Sequence, residues 1–323
     1  MHRTAVVALG GNAFTRAGQR GTYQELASNA AAMAQAVHRL HQAGWRVVVA
    51  HGNGPQVGNL ALQQDAAEPE VPGLPLPALV AMTQGLLGSL FCLALREASG
   101  ASHNGAPDVV TVVSHVRVDP ADPAFDRPTK PIGPFMSEAA AAALARSKGW
   151  TVVDDAGRGH RRVVPSPAPL EIVETGAILR LLADGFVVIA VGGGGIPVAA
   201  DGDRLAGVDA VIDKDLAAAL LATAVGAQAL VLVTDVDTVM LDFGTPTERA
   251  VTTVGADEMR RHLQDGQFPE GSMGPKIRAA LQFLDAGGGC AVITRPWLVP
   301  GALSGNPGRA TRIVRGVAGR GAA

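Results

Sequence analysis

Residues Ala5–Asn12 read AVVALGGN: a five-residue apolar run, long enough for a buried strand, leads directly into Gly10-Gly11-Asn12. The pattern recurs along the chain. Arg46–Ala50 (RVVVA) leads into His51-Gly52-Asn53-Gly54, Val187–Val191 (VVIAV) into Gly192–Gly195, and Leu230–Val233 (LVLV) into Thr234-Asp235-Val236-Asp237. Ala291–Thr294 (AVIT) is a late strand. Short β-branched runs closed by glycine turns read as strands, and amphipathic helices stand between them, the first expected from about Ser28 to Ala43. Strands alternating with helices predict an α/β fold with a mainly parallel sheet and helices on both faces. In such sheets ligands sit beyond the carboxyl ends of the strands, where these glycine turns fall.

Composition narrows the class. At 323 residues the length suggests about two domains. Hydrophobic content of 47% with 17% charged residues is that of a globular protein. A net charge of −2 without a Lys/Arg block argues against a nucleic-acid binder held through phosphates. Cys92 and Cys290 stand far apart and outside any CxxC, so neither a disulfide framework nor a zinc site is expected. The N-terminus turns glycine-rich after one short apolar run, which is no signal peptide, and a cytoplasmic protein is expected. Val71–Leu95 carries no charge, and its part Pro77–Leu95 alone approaches the length of a membrane span. Pro72, Pro75 and Pro77 precede it, however, and Thr83, Gln84, Gly85 and Gly88 interrupt it, so a buried core helix is expected instead.

Two stretches break the strand–helix pattern. Asp119–Pro134 holds five prolines with little periodicity, and Gly157–Pro169 is rich in Arg and Pro. Between them Ser137–Lys148 reads as an alanine-rich helix with Ser137 as its N-cap. Residues of about 117–168 are therefore expected to leave the sheet as a lid, stiffened by proline.

The chemistry-bearing signals are glycines and lysines. Glycine turns at strand ends let backbone N–H groups converge on an anion, with a helix N-terminus adding partial positive charge. Of 27 basic side chains only four are lysine: Lys130, Lys148, Lys214 and Lys276. In so arginine-biased a chain, a retained lysine marks a place where a compact ammonium is needed and a planar guanidinium fits poorly. Lys148 ends a helix, where a cation suits the dipole. Lys130 lies among prolines, Lys214 lies between Asp213 and Asp215 at a helix start, and Lys276 follows Gly271–Pro275 (GSMGP). A lysine at a helix N-terminus opposes the dipole unless an anion is close. Asp213 and Asp215 would hold Lys214 in an empty site, or form a plain salt bridge.

Familiar alternatives fail. No GxGxxG follows Gly192, and Gly271–Lys276 has the wrong spacing for a P-loop, with Ile277 in place of Ser/Thr. No histidine pair has metal-ligand spacing and no Ser-His-Asp triad assembles; His51 reads as a turn residue bonded to backbone. Asp235 and Asp237 either orient a nucleotide or its Mg²⁺, or form a turn and a helix cap.

Ten blocks in order carry a further signal: LGGNA (9–13), QRGTY (19–23), HGNGPQVG (51–58), TQG (83–85), TKPIGPF (129–135), RRVVPSP (161–167), GGGGIPV (192–198), AVIDKD (210–215), TDVD (234–237) and GSMGPK (271–276). Together they resemble the carbamate kinase family, within the amino acid kinases, from about Val6 to Ile313. The resemblance implies an open αβα sandwich of two lobes with a protruding lid subdomain and a homodimer. Residues 1–215 would be the lobe for carbamate or carbamoyl phosphate, including the lid, and 216–323 the nucleotide lobe. It implies reversible phosphoryl transfer between ATP and carbamate with Mg²⁺, often run towards ATP in arginine catabolism. By resemblance Lys214 and Lys276 contact the transferring phosphoryl group, Lys130 reaches in from the lid, and Asp215 orders the lysines. Gly10, Gly11, Asn12, Gly52, Asn53 and the Gly192–Gly195 turn, with Gly193 and Gly194, would line the carbamate and phosphoryl positions. Thr234, Asp235, Val236, Met273 and Gly274 would lie along ATP or ADP. The chain departs from the family pattern at Ser89, His160 and Phe243, where tyrosine is common, at Met136, where an aromatic residue is frequent, and at Arg309-Ala310. Those departures leave open a different carbamate or small carboxylate as acceptor. A binding regulator without catalysis is the other reading, and keeping all of Lys130, Lys214, Asp215 and Lys276 argues against it.

Overall fold

In the computed structural model, which describes residues 3–16, 18–100, 107–155, 157, 159–269, 271–304 and 308–316, the chain opens with β1 (Arg3–Leu9), α1 (Gly11–Phe14), α2 (Tyr23–Gln42), β2 (Trp45–His51), α3 (Gly54–Ala67) and α4 (Leu76–Ala98). β3 (Val109–Thr111) and β4 (His115–Arg117) precede the lid, which is built from β5 (Lys130–Met136), α5 (Glu138–Lys148), β6 (Val152–Asp154) and β7 (His160–Val164). The chain returns through β8 (Glu171–Ile172), α6 (Thr175–Ala183), β9 (Val187–Ile189), β10 (Ile196–Asp201), β11 (Arg204–Gly207) and α7 (Lys214–Ala224). The last described elements are β12 (Ala229–Val233), β13 (Val239–Leu241), β14 (Arg249–Val251), β15 (Thr253–Gly255), α8 (Ala256–Gln264), α9 (Met273–Asp285), β16 (Cys290–Thr294), α10 (Val299–Leu303) and β17 (Thr311–Val314).

Eight strands form the central sheet in the order β15-β17-β16-β12-β1-β2-β9-β3. From β16 to β3 every neighbouring pair is parallel; β17 enters antiparallel to β16. Side chains alternate between two cores. Val6, Ala8, Val48 and Leu230 face Ala218, Leu221 and Ala280 of α7 and α9, while Val7, Val47, Val49 and Val231 face Met33 of α2 and Phe91 of α4. A parallel sheet covered on both faces explains why the strands read as unbroken apolar runs. The strand expectations hold to within a residue or two. The helix expected from about Ser28 is α2, which begins earlier, because Thr22 and Glu25 form a reciprocal capping box: the Glu25 N–H donates to Thr22 Oγ1 (3.3 Å) and the Thr22 N–H to Glu25 Oε2 (2.8 Å).

α4 is the uncharged stretch. It has the length and hydropathy of a membrane span, yet Leu79, Val80, Leu87, Phe91 and Leu95 are buried in the body of the protein. A smaller sheet, β11-β10-β4-β8, lies apart from the central one, and β5-β7-β6 form the antiparallel lid sheet. Lys130–Met136, expected to be irregular, is a strand. Pro131 and Pro134 are tolerated because β5 is the edge of its sheet, and its ladder with β7 shifts register between Ile132 and Met136. Ser137 caps α5 as expected, accepting the Ala140 N–H. The lid docks on α3 at very close range: a Cβ on Gly58 would come within 2.0 Å of the Gly133 nitrogen. At the lid's other end Lys148 Nζ reaches Glu68 Oε2 (2.7 Å), so this lysine holds an ion pair in addition to its place at a helix C-terminus. Residue 215, where the two expected lobes meet, falls in the first turn of α7, and β12 beyond it pairs with β1 before it.

Candidate active site

Leu9 lies opposite both His51 and Val233 in the sheet register. Gly10, Gly52 and Thr234 therefore emerge side by side at one carboxyl edge, where the Gly52 N–H donates to the Leu9 carbonyl (3.0 Å). Gly11 and Asn12 begin α1; the Asn12 side chain lies outside the described part of the chain. The Gly192–Gly195 turn joins this edge from β9. Gly193, Gly194 and Gly195 all have positive φ (+68°, +89° and +90°). A Cβ on Gly192 would meet His51 Nε2 at 2.4 Å, and one on Gly193 would meet Asn53 Nδ2 at 2.2 Å. Only glycine lets this turn press so closely on the His51–Gly54 loop.

Buried polar side chains hold the turn. Gln84 Nε2 donates to the carbonyls of Gly192 (3.0 Å) and Ser114 (3.1 Å), and its Oε1 accepts the Ser114 N–H (2.8 Å). Ser114 Oγ accepts the N–H of Val191, and Asn53 Nδ2 donates to Thr83 Oγ1 (2.8 Å). Gln84, Thr83 and Ser114 were given no role from sequence. A signal was present: a polar pair inside an uncharged helix must find partners, because an unpaired buried amide costs a few kcal/mol, about 1–3. His51 behaves as a turn residue, its Nδ1 lying 3.1 Å from the Gly52 carbonyl. Burial pulls its pKa down to about 4, so it is neutral at ordinary pH.

The glycine turn abuts the lysines, since a Cβ on Gly194 would lie 2.4 Å from the Ile212 carbonyl oxygen, one residue before Asp213. Asp213 caps α7, its Oδ1 accepting the N–H groups of Asp215 (2.9 Å) and Leu216 (3.3 Å). Its Oδ2 holds Lys130 Nζ of the lid at 2.5 Å. Asp215 is shared: Oδ1 meets Lys214 Nζ (2.5 Å) and Oδ2 meets Lys276 Nζ (3.0 Å), from the first turns of α7 and α9. The three lysines singled out by sequence thus converge from three elements on two carboxylates. Of the two aspartates expected to hold Lys214, only Asp215 pairs with it, and Asp213 is instead the partner of Lys130.

The electrostatics follow from burial. Desolvation pushes the Lys214 ammonium down to about 8, only partly opposed by Asp215 and reinforced by Lys276. For Lys276 burial acts the same way, but Asp215, with Asp213 and Asp235 behind it, carries the pKa above its ordinary value. Burial alone would raise both aspartates; instead Lys130 and Lys214 hold Asp213 well below the carboxylate range, and Lys214 and Lys276 hold Asp215 low. Three ammonium groups face two carboxylates, an excess that invites an anion.

The turn after β12 opens no helix. Asp237 is taken by Arg295 (3.1 Å) and Arg309 (2.6 Å), which rules out the helix-cap reading and gives the unusual Arg309 a partner. Asp235 is exposed, close enough to Lys276 to raise it, and Thr234 Oγ1 lies 3.3 Å from its Oδ1. Val236 is half-buried in the same turn. Met273 and Gly274 open α9, in the turn that carries Lys276. Among the described residues no three His, Cys, Asp or Glu side chains gather as a metal cage. Of the departures, Met136 and His160 face each other across the lid ladder, Ser89 is exposed on α4, and Phe243 is exposed beyond β13.

A strand-edge glycine site joined to a lysine–aspartate cluster under a lid defines a phosphoryl-transfer scaffold. Residues 3–295 match the amino acid kinase family, and the chain belongs to that family. Its near relatives there are carbamate kinases. The carbamate kinase of Pyrococcus horikoshii is 44% identical over 95% of this chain and 98% of its own length. Carbamate kinase from Giardia lamblia, solved with citric acid and with AMP-PNP, superposes with TM-scores of 0.91 and 0.88, at 41% and 42% identity, over 97% of this chain and 98% of each structure. The carbamate kinase-like protein YahI of Escherichia coli is 44% identical over 98% of this chain and all of its own.

Proposed function

We propose that this chain is a carbamate kinase, transferring a phosphoryl group reversibly between ATP and carbamate. The observation that carries the reading is the convergence of Lys130, Lys214 and Lys276 on Asp213 and Asp215 beside the glycine turns. A carbamate oxygen attacks the γ-phosphorus as the bond to the β-bridging oxygen breaks, giving carbamoyl phosphate and ADP. Carbamate is already an anion, so its attack needs no general base, consistent with the neutral His51 turned to its own loop. What remains for the protein is positioning and charge neutralisation. Lys214 and Lys276 take the transferring phosphoryl oxygens, Lys130 joins from the lid, and Asp215 fixes the inner two ammonium groups. Gly10, Gly11, Asn12, Gly52, Asn53, Gly193 and Gly194 line the acceptor and phosphoryl positions, in the half of the chain before α7. Thr234, Asp235, Val236, Met273 and Gly274 lie along the nucleotide, and AMP-PNP in the Giardia lamblia relative supports that use.

Mg²⁺ fits as a companion of the nucleotide rather than a resident ion. No protein cage exists among the described residues, and Mg²⁺ is usually held by one or two carboxylates together with substrate phosphates. The Asp237 carboxylate is committed to arginines, which leaves exposed Asp235 to hold the ion. Bound there, Mg²⁺ would neutralise charge on the nucleotide phosphates. Two free thiols, Cys92 and Cys290, suit a cytoplasmic enzyme. Met82, Leu86 and Leu93 form one exposed stripe along α4, the face that a homodimer would cover.

The test is to supply ADP, Mg²⁺ and carbamoyl phosphate and to measure ATP. ATP formation well above the uncatalysed background is expected; background alone would overturn the reading. The departures at Ser89, Met136, His160 and Phe243, with a relative named only carbamate kinase-like, favour one second reading, transfer to another carbamate or small carboxylate. A panel of acceptors with ATP separates the two.

A further inference from the structure

Among the described residues two ion pairs tie the lid to the body, and they differ in kind. Lys148–Glu68 is an outer pair, with side chains 31% and 58% exposed, of the sort that contributes little. Lys130–Asp213 lies at the site, with side chains 26% and 14% exposed. Asp213 also differs from Asp215. Asp215 has both oxygens on lysines of the body and is almost wholly enclosed. Asp213 spends Oδ1 on the α7 cap, which fixes it to the body, and Oδ2 on an ammonium that belongs to another sheet. Lys130 opens β5, opposite Val164 in β7, so its backbone moves with the lid strands.

We propose that Asp213 is a positioning residue that latches the lid: its carboxylate stands in for the phosphoryl anion in the empty site and holds Lys130 until that anion takes the ammonium over. The proposal deepens the kinase reading and rests on Lys130 being a phosphoryl ligand. An arriving dianion is repelled by the Asp213 carboxylate and attracted by Lys130. Both effects favour moving the ammonium from one to the other. Lys130 is the most exposed of the three clustered lysines, against 10% for Lys214 and 13% for Lys276, and so the one an incoming anion reaches first. The handover makes closure over substrate depend on substrate, and part of the anion's binding energy goes into opening the resting pair.

Asp213→Asn isolates the latch, because asparagine caps a helix about as well as aspartate and only the charge is lost. Hydrogen exchange of the full-length enzyme is followed in peptides covering β5 and β7, with no ligand and with inorganic phosphate as probe. In the empty variant, exchange in β5 and β7 should rise about fivefold, the worth of one partly exposed charged contact, with α7 unchanged. Lys130→Met and the double variant should match it, whereas Glu68→Gln should not. KM for carbamoyl phosphate should fall by about the same factor in Asp213→Asn while kcat changes less. Lid exchange equal to wild type, or a raised KM, would overturn the latch and leave Asp213 a helix cap. If wild type made no ATP, the kinase reading would fail, and lid exchange with phosphate would still decide the latch.

Discussion

Lys214 is the residue whose chemistry the fold has altered most. Its neighbours leave it charged only below about pH 8 in the free enzyme, because burial outweighs the nearby carboxylates. The sign for stability follows directly. The cost of keeping this ammonium charged in the fold is fully present below pH 8 and is relieved as pH rises towards its unfolded value. For binding the sign reverses. An anion beside Lys214 raises its pKa, so complex formation takes up a proton above about pH 8 and affinity falls as pH rises through that value. Calorimetry of phosphate binding in buffers of different ionisation enthalpy should show that uptake in wild type. Lys214→Arg, which cannot titrate in this range, should abolish it and depress kcat with the fold intact; persistent uptake or wild-type turnover would remove Lys214 from the role. The lysines were legible in sequence because an arginine-rich background makes each one conspicuous. Their partners were less so. Asp213 and Asp215 flank Lys214 in the chain, but nothing local tells which carboxylate reaches Lys130, 83 residues away, or Lys276, 61 residues away.

Among the elements, the strands of the central sheet could be read directly, since burial on both faces makes each one a continuous apolar run. β5 could not, because Pro131 and Pro134 break every local strand signal and only its edge position permits them. The small sheet of β10 and β11 escaped notice for a related reason: it depends on pairing with β4 and β8, far off in sequence. The docking of α3 on β5 supplies a test of the lid's foundation. In Gly58→Ala the new methyl would meet the backbone nitrogen and Cα of Gly133 at 2.0 and 2.1 Å, with no flexible side chain to yield. That overpacking should cost about 1–3 kcal/mol in a denaturant titration. Gly85→Ala on α4, where nothing lies within 4 Å, should leave stability unchanged or raise it slightly. Equal effects at the two positions would mean that the lid does not bear on α3.

At the scale of the whole molecule, the parallel sheet with helices on both faces was legible, while any partner surface was not, because α4 spends its apolar character in two directions. One face is core. The other presents Met82, Leu86 and Leu93, four and seven residues apart and so on one stripe. If that stripe joins two copies, Leu86→Glu should weaken self-association at least about tenfold by sedimentation, and an unchanged oligomer would place the interface elsewhere. The lysine arrangement has a further consequence for handling the protein. All four amines are engaged in ion pairs, and none has a side chain more than 31% exposed. A reagent that acylates amines would therefore find no idle surface lysine to absorb it. Lys148 and Lys130 are the two that fasten the lid, and protection from acylation by substrate would appear at Lys130 and not at Lys148.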